Sequence, residues 1–103
     1  VEFRTSRIGK GIVVSLSDKL TVGNGAALRK LILDEFETNV SSVTIDFSST
    51  KFIDSFGLEI LSKLSKEIGE LGGHLTLLNV DLKLQSFIEL AALDSLFDFQ
   101  ENN

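Results

Sequence analysis

Cysteine is absent from the 103 residues, and its absence excludes disulfides, zinc–thiolate sites, iron–sulfur clusters and thiol catalysis together. Proline, tryptophan, tyrosine and methionine are absent as well. Without methionine, the chain is expected either to have lost its start residue or to be a piece of something longer. The one histidine, His74, has no cysteine or second histidine to share a metal with, so neither a metal site nor a cofactor is expected. No apolar run nears the roughly 18 residues of a membrane span, and the N-terminus lacks a signal-peptide pattern. A cytoplasmic protein without a membrane partner is therefore expected. Positive charge is also scarce: ten basic residues against fifteen acidic ones leave a net charge of -5. The basic residues are scattered from Arg4 to Lys83 and are not interleaved with aromatics. Nucleic-acid binding, which needs clustered cations to neutralise phosphates, is not expected.

What remains suffices for one folded domain over residues 1–103. Apolar residues at 43% and charged residues at 24% are near the globular average, which argues against disorder. Residues 1 to 8 alternate, with Val1, Phe3 and Thr5 on one face. Gly9-Lys10-Gly11 then leads into the β-branched run Ile12-Val13-Val14, a hairpin signal. Leu28, Leu31, Ile32 and Phe36 follow at helical spacing, with Asn39 placed to end the helix in a left-handed conformation. Val43, Ile45 and Phe47 alternate as a strand. Residues 54 to 71 carry a helical stripe of Leu58, Leu61, Leu64, Ile68 and Leu71, with Glu59–Lys63 and Lys63–Glu67 spaced to pair on the opposite face. Gly72-Gly73 stops that helix. Leu75 to Val80 reads as a strand, Leu84, Phe87, Ile88 and Ala91 as a helix, and Leu96, Phe97 and Phe99 as a short last strand before a frayed end. The order β-β-α-β-α-β-α-β predicts an α/β fold with crossover helices, a mixed but mostly parallel sheet and one antiparallel edge.

In such folds ligands and partners meet the carboxyl ends of the strands. Two loops there carry candidate residues. Thr21-Val22-Gly23-Asn24-Gly25 opens the first helix and contains G-x-G. Leu28 occupies the place where a dinucleotide fingerprint needs a third small residue, so a turn with a helix cap is the plainer reading. No G-x-x-x-x-G-K-[ST] run occurs, which excludes a P-loop. The second loop is Phe52-Ile53-Asp54-Ser55-Phe56-Gly57-Leu58. Asp54 is a good N-cap, and Ile53 and Leu58 are spaced as a hydrophobic staple. Capping does not account for Gly57, which costs roughly 0.5–1 kcal/mol against alanine and lets another backbone approach closely. Phe56 has little apolar cover in its immediate sequence. It suits a partner-facing anchor, the alternative being core packing against Phe52 or the first helix. No Ser-His-Asp arrangement is readable, because Ser55 and His74 belong to opposite ends of one helix.

The segment from Phe52 to Leu58, entering a leucine-striped helix, resembles the signature of the STAS domain, the fold of bacterial anti-sigma factor antagonists. The resemblance extends to Leu16 through Thr21, to the strand Val43 to Phe47, and to Leu90 through Phe99. It implies a non-enzymatic module that binds an anti-sigma factor with serine-kinase activity and thereby frees a sigma factor. It also implies a switch, since the kinase phosphorylates the hydroxyl residue directly before the glycine. Here that residue is Phe56, and Ser55 is the only hydroxyl in the D-S-F-G-L segment. A permanently active antagonist, a switch displaced to Ser55 and a module without phospho-control all fit. Thr21 stands where the family often has an acidic residue. The expected partner surface comprises Thr21, Gly23, Asn24, Asp54, Ser55, Phe56 and Gly57, with a weak homodimer as the one self-association allowed. A small-ligand or nucleotide-binding module using Thr21 to Gly25 and the start of the second helix is the alternative.

Overall fold

Gly9 takes a backbone φ of +60°, which only glycine adopts without cost, and turns β1 (Arg4–Ile8) back onto β2 (Gly11–Ser15). The two pair antiparallel, with Ile8 opposite Gly11 and Arg4 opposite Ser15. The computed structural model describes residues 3–101, so Val1, Glu2 and the last two asparagines lie outside the described residues. After β2 come β3 (Lys19–Leu20), α1 (Gly25–Phe36), β4 (Ser42–Asp46), β5 (Phe52–Ile53), α2 (Ser55–Glu70), β6 (His74–Leu78), α3 (Leu82–Leu90), a 3-10 turn (Asp94–Leu96) and β7 (Asp98–Gln100).

Five strands form one sheet in the order β1-β2-β4-β6-β7, parallel except for β1. The mixed, mostly parallel α/β architecture expected from the sequence is present. Each crossover steps to the next strand in the same direction, so right-handed connections lay all three helices on one face. The burial pattern agrees. Ile12, Val14, Val43, Ile45, Leu75 and Leu77 form the sheet side of the core, beneath Leu28, Ile32, Leu61, Leu64, Ile68 and Ile88. The alternate rows face outward. One of them runs Ser6, Val13, Thr44, Thr76 and Asp98 in register across the sheet.

Several local expectations shift. Leu71, expected in the α2 stripe, is the C-cap residue and 60% exposed, while Ile60 is buried. Glu59 and Lys63 do pair, at 3.4 Å, but Glu67 turns to Arg29 of α1, whose Nε donates to it at 2.9 Å. Asn39 has the left-handed φ of 69°, but it lies beyond the α1 C-cap at Glu37. Leu96 belongs to the 3-10 turn rather than the last strand, and Phe97 is buried edge-to-face against Phe99. The parallel pair β3–β5, with Lys19 opposite Phe52 and Leu20 opposite Ile53, has no counterpart in the sequence reading. Two residues are too few to leave a periodic pattern.

Candidate functional site at two helix N-termini

Asp54 joins two segments that are far apart in the chain. It follows β5 in an extended conformation and caps α2, its Oδ1 accepting from the Gly57 N–H at 2.7 Å. The backbone confirms the cap, since the Leu58 N–H donates to the Asp54 carbonyl at 3.0 Å. Its other carboxylate oxygen, Oδ2, accepts from the Val22 N–H at 3.2 Å, in the loop before α1. One side chain thus satisfies a donor at the start of α2 and a donor in the neighbouring loop. The negative charge also opposes the positive end of the α2 macrodipole. Ile53 and Leu58, the expected staple residues, are both buried in the core.

The β3–α1 loop is held internally. The Thr21 N–H donates to Asn24 Oδ1, and Asn24 Nδ2 donates to the Lys19 carbonyl, both at 2.8 Å. The Gly23 N–H donates to Thr21 Oγ1 at 3.1 Å, and the Gly25 N–H reaches the Thr21 carbonyl at 2.8 Å. Asn24 is buried, with both ends of its amide committed within the loop. Asn24 was expected on the partner surface; in the structure its side chain is the loop's internal clamp. It does not cap α1 through its side chain either.

Gly57 is buried as well. A Cβ there would stand closer than 3.0 Å to the Leu20 carbonyl, with Ile53 Cγ2 at 3.1 Å. The close backbone approach inferred from this glycine is real, but the approaching backbone is the chain's own β3, not a partner's. For Phe56 the expectation was a partner-facing anchor, with packing against Phe52 or the first helix as the alternative. Its ring lies over the start of α1, where a Cβ on Gly25 would meet it at 3.2 Å and the Ile60 side chain at 3.1 Å. It is half-buried and packed against the core, because α1 supplies the cover that its sequence neighbours lack.

What remains outward is compact. Ser55, the first residue of α2, is exposed, as are Val22 and Gly23, while Thr21, Asp54 and Phe56 are half-buried. Val22 is 70% exposed and Phe52 on β5 is 55% exposed; neither was singled out from the sequence. A valine between Thr21 and Gly23 in an otherwise polar loop was the available signal for the first. The alternation of a two-residue strand gave none for the second. His74 opens β6 beyond the far end of α2 and takes no part. A phosphoryl group on Ser55 would sit at the first turn of α2, where free backbone N–H groups favour an anion, and beside the Asp54 carboxylate, which repels one.

Comparison with known proteins places this arrangement. Residues 3–103 match the family model of the STAS domain. A Thermotoga maritima protein that carries the name of an anti-sigma factor antagonist is 26% identical over 92 residues, spanning 87% of this chain and 81% of its own. A Thermotoga maritima crystal structure under the same kind of name is similar at a TM-score of 0.88 and 21% identity, over 97% of this chain and 86% of that one. The phosphorylated form of SpoIIAA, a Bacillus cell fate determinant, is similar at a TM-score of 0.78 and 18% identity, over 99% and 92% of the two chains.

Proposed function

Since the chain belongs to the STAS domain family, we propose that it works as an anti-sigma factor antagonist, docking on an anti-sigma factor with serine-kinase activity through the edge formed by Val22, Gly23, Asp54 and Ser55. The observation that carries this reading is the Asp54 carboxylate, bonded at once to the Val22 and Gly57 N–H groups. It ties two loops into one preorganised surface, so little conformational entropy remains to be lost on docking. Thr21 and Phe56 border that edge, while Asn24 and Gly57 support it from within. The reading keeps the chain in the cytoplasm, without catalysis of its own.

Phospho-control, on this reading, has moved from the position before Gly57 to Ser55. Phe56 can accept no phosphate and turns toward Gly25, whereas Ser55 is the exposed hydroxyl of the segment. A phosphate there adds a charge of about -1.5 to -2 at the centre of the proposed interface. The nucleotide-binding alternative for the Thr21–Gly25 loop is the weaker one, because the amide donors that a phosphate would use are already committed, that of Val22 to Asp54, that of Thr21 to Asn24, and those of Gly23, Asn24 and Gly25 to Thr21.

The test is calorimetric titration of the chain against a kinase-type anti-sigma factor from the same organism, with and without ATP. Ser55→Glu is expected to weaken binding at least tenfold. Ser55→Ala is expected to bind normally and to abolish phosphate incorporation seen by mass spectrometry. An absence of binding defeats the antagonist reading, and phosphate incorporated elsewhere defeats the displaced switch alone.

A further inference from the structure

A cleft of about 500 Å³ lies between the start of β1, the end of β2 and the segment after β4, beside the helix-free face of the sheet. It is lined by Arg4, Ser15, Leu16, Ser17, Ser48 and Ser49. That volume is within the range of small-molecule sites. Arg4 pairs in register with Ser15, and Ser15 with Asp46, so these three side chains share one row on the open face.

Among the described residues, the polar side chains lining the cleft are uncommitted. Arg7 is spent on Thr38, and Arg29 on Glu67. Among the described residues, Arg4 makes no side-chain hydrogen bond or ion pair, and neither do the hydroxyls of Ser15, Ser17, Ser48 and Ser49. The cleft therefore gathers one guanidinium and four hydroxyls that have no side-chain partner among the described residues. A guanidinium offers a planar donor fork that matches a carboxylate or phosphate. Hydroxyls both donate and accept, which suits a ligand that also carries hydroxyls. Asp46 limits the choice from the border of the cleft, beside Ser15 in register rather than among the lining residues. Its Oδ1 is held by the Ser48 N–H at 2.9 Å, which leaves the other oxygen to accept. A bare anion would meet that carboxylate as a repulsion, and the net charge of -5 offers no long-range compensation. A molecule with an anionic head and a hydroxyl-bearing body satisfies both ends of the row.

We propose that this cleft binds a small polyhydroxylated anion of the sugar-phosphate or sugar-acid kind, its head on Arg4 and its hydroxyls toward the serines and Asp46. The cleft shares no lining residue with the Asp54 edge, and the proposal stands whether or not the antagonist reading holds.

The experiment is a titration of the nitrogen-15-labelled chain, followed by amide chemical shifts. Glucose 6-phosphate, gluconate, glucose and inorganic phosphate are added separately at constant ionic strength. Glucose 6-phosphate or gluconate is expected to give saturable shifts at Ser15–Ser17 and Ser48–Ser49, at lower concentration than glucose or phosphate. Whichever of the two saturates first identifies the head group. Arg4→Ala is expected to raise the Kd at least tenfold. Ser49→Ala, in a loop where folding is not at stake, is expected to raise it severalfold. Shifts that never saturate, that centre on Val22–Gly25 and Ser55–Gly57, or that survive both substitutions overturn the proposal.

Discussion

Gly57 and Gly69 occupy one helix in opposite surroundings, which makes them a test of what sets the value of a glycine. Nothing lies within 4 Å of a Cβ added at Gly69, whereas one at Gly57 meets the Leu20 carbonyl. Gly69→Ala should therefore gain the ordinary helix preference, about 0.5–1 kcal/mol. Gly57→Ala should instead lose about 1–3 kcal/mol by overpacking, since a backbone carbonyl cannot swing aside as a flexible side chain can. Urea midpoints of the two variants should move in opposite directions, and a gain at both sites would refute the close approach. Phe56 belongs to the same scale. Because its ring is half-buried over Gly25, Phe56→Ser should cost about 1–3 kcal/mol, less than the loss of a fully buried aromatic. An unchanged midpoint would mean that the ring contributes nothing to the fold and is free for a partner.

The two longest helices meet through an ion pair as well as through the core. The hydrogen bond from Arg29 lowers the Glu67 carboxyl below its ordinary value of 4.5; burial opposes the shift, and the charges of Arg29 and Lys63 add to it. A depressed carboxyl stabilises the fold at pH values above its unfolded pKa, and that contribution disappears as the pH falls through the folded value. Wild type should therefore exceed Glu67→Gln in urea midpoint at neutral pH, with the gap closing below about pH 4. The side chains are 41% and 29% exposed, so the gap should be small and should shrink further in salt. A gap that persists in acid would assign the effect to packing. The apolar side of α2 offers a sharper contrast. Leu64 is fully buried and Leu71 is 60% exposed, so truncation to alanine should cost about 2–5 kcal/mol at Leu64 and within about 0.5 kcal/mol at Leu71.

For the molecule as a whole, one-directional crossovers collect the three helix N-termini at the carboxyl end of the sheet. Exposed Val22, Phe52 and Ser55 stand at that end, and Lys66 is exposed three turns further along α2. Phe52→Ser removes a ring that is already more than half in solvent, so stability should change little. Partner affinity should fall by about tenfold if docking buries that ring, equivalent to roughly 1.4 kcal/mol. Lys66→Glu should leave affinity unchanged. Equal losses at both positions, measured by the same titration, would deny a localised docking edge. Among the described residues, no helix is long and apolar enough to cross a membrane.

The features that the sequence by itself determined are those whose cause lies within a few residues. The β-branched run Ile12 to Val14 and the alternation of Val43, Ile45 and Phe47 placed strands, and the stripe Leu58, Leu61, Leu64 and Ile68 placed α2, because each pattern is local to one element. Asp54 was legible as a cap because its acceptor and the Gly57 donor are three residues apart. Tertiary structure decided the rest of the site. The Asp54–Val22 bond spans 32 residues, and the contacts of Gly57 with Leu20 and of Phe56 with Gly25 span similar distances. Asn24 turned inward because the short β3–β5 ladder sets where Lys19 and Thr21 lie. Local propensity states which side chain can bond. Which donor arrives beside it depends on how segments distant in the chain pack, and no short-range pattern carries that information.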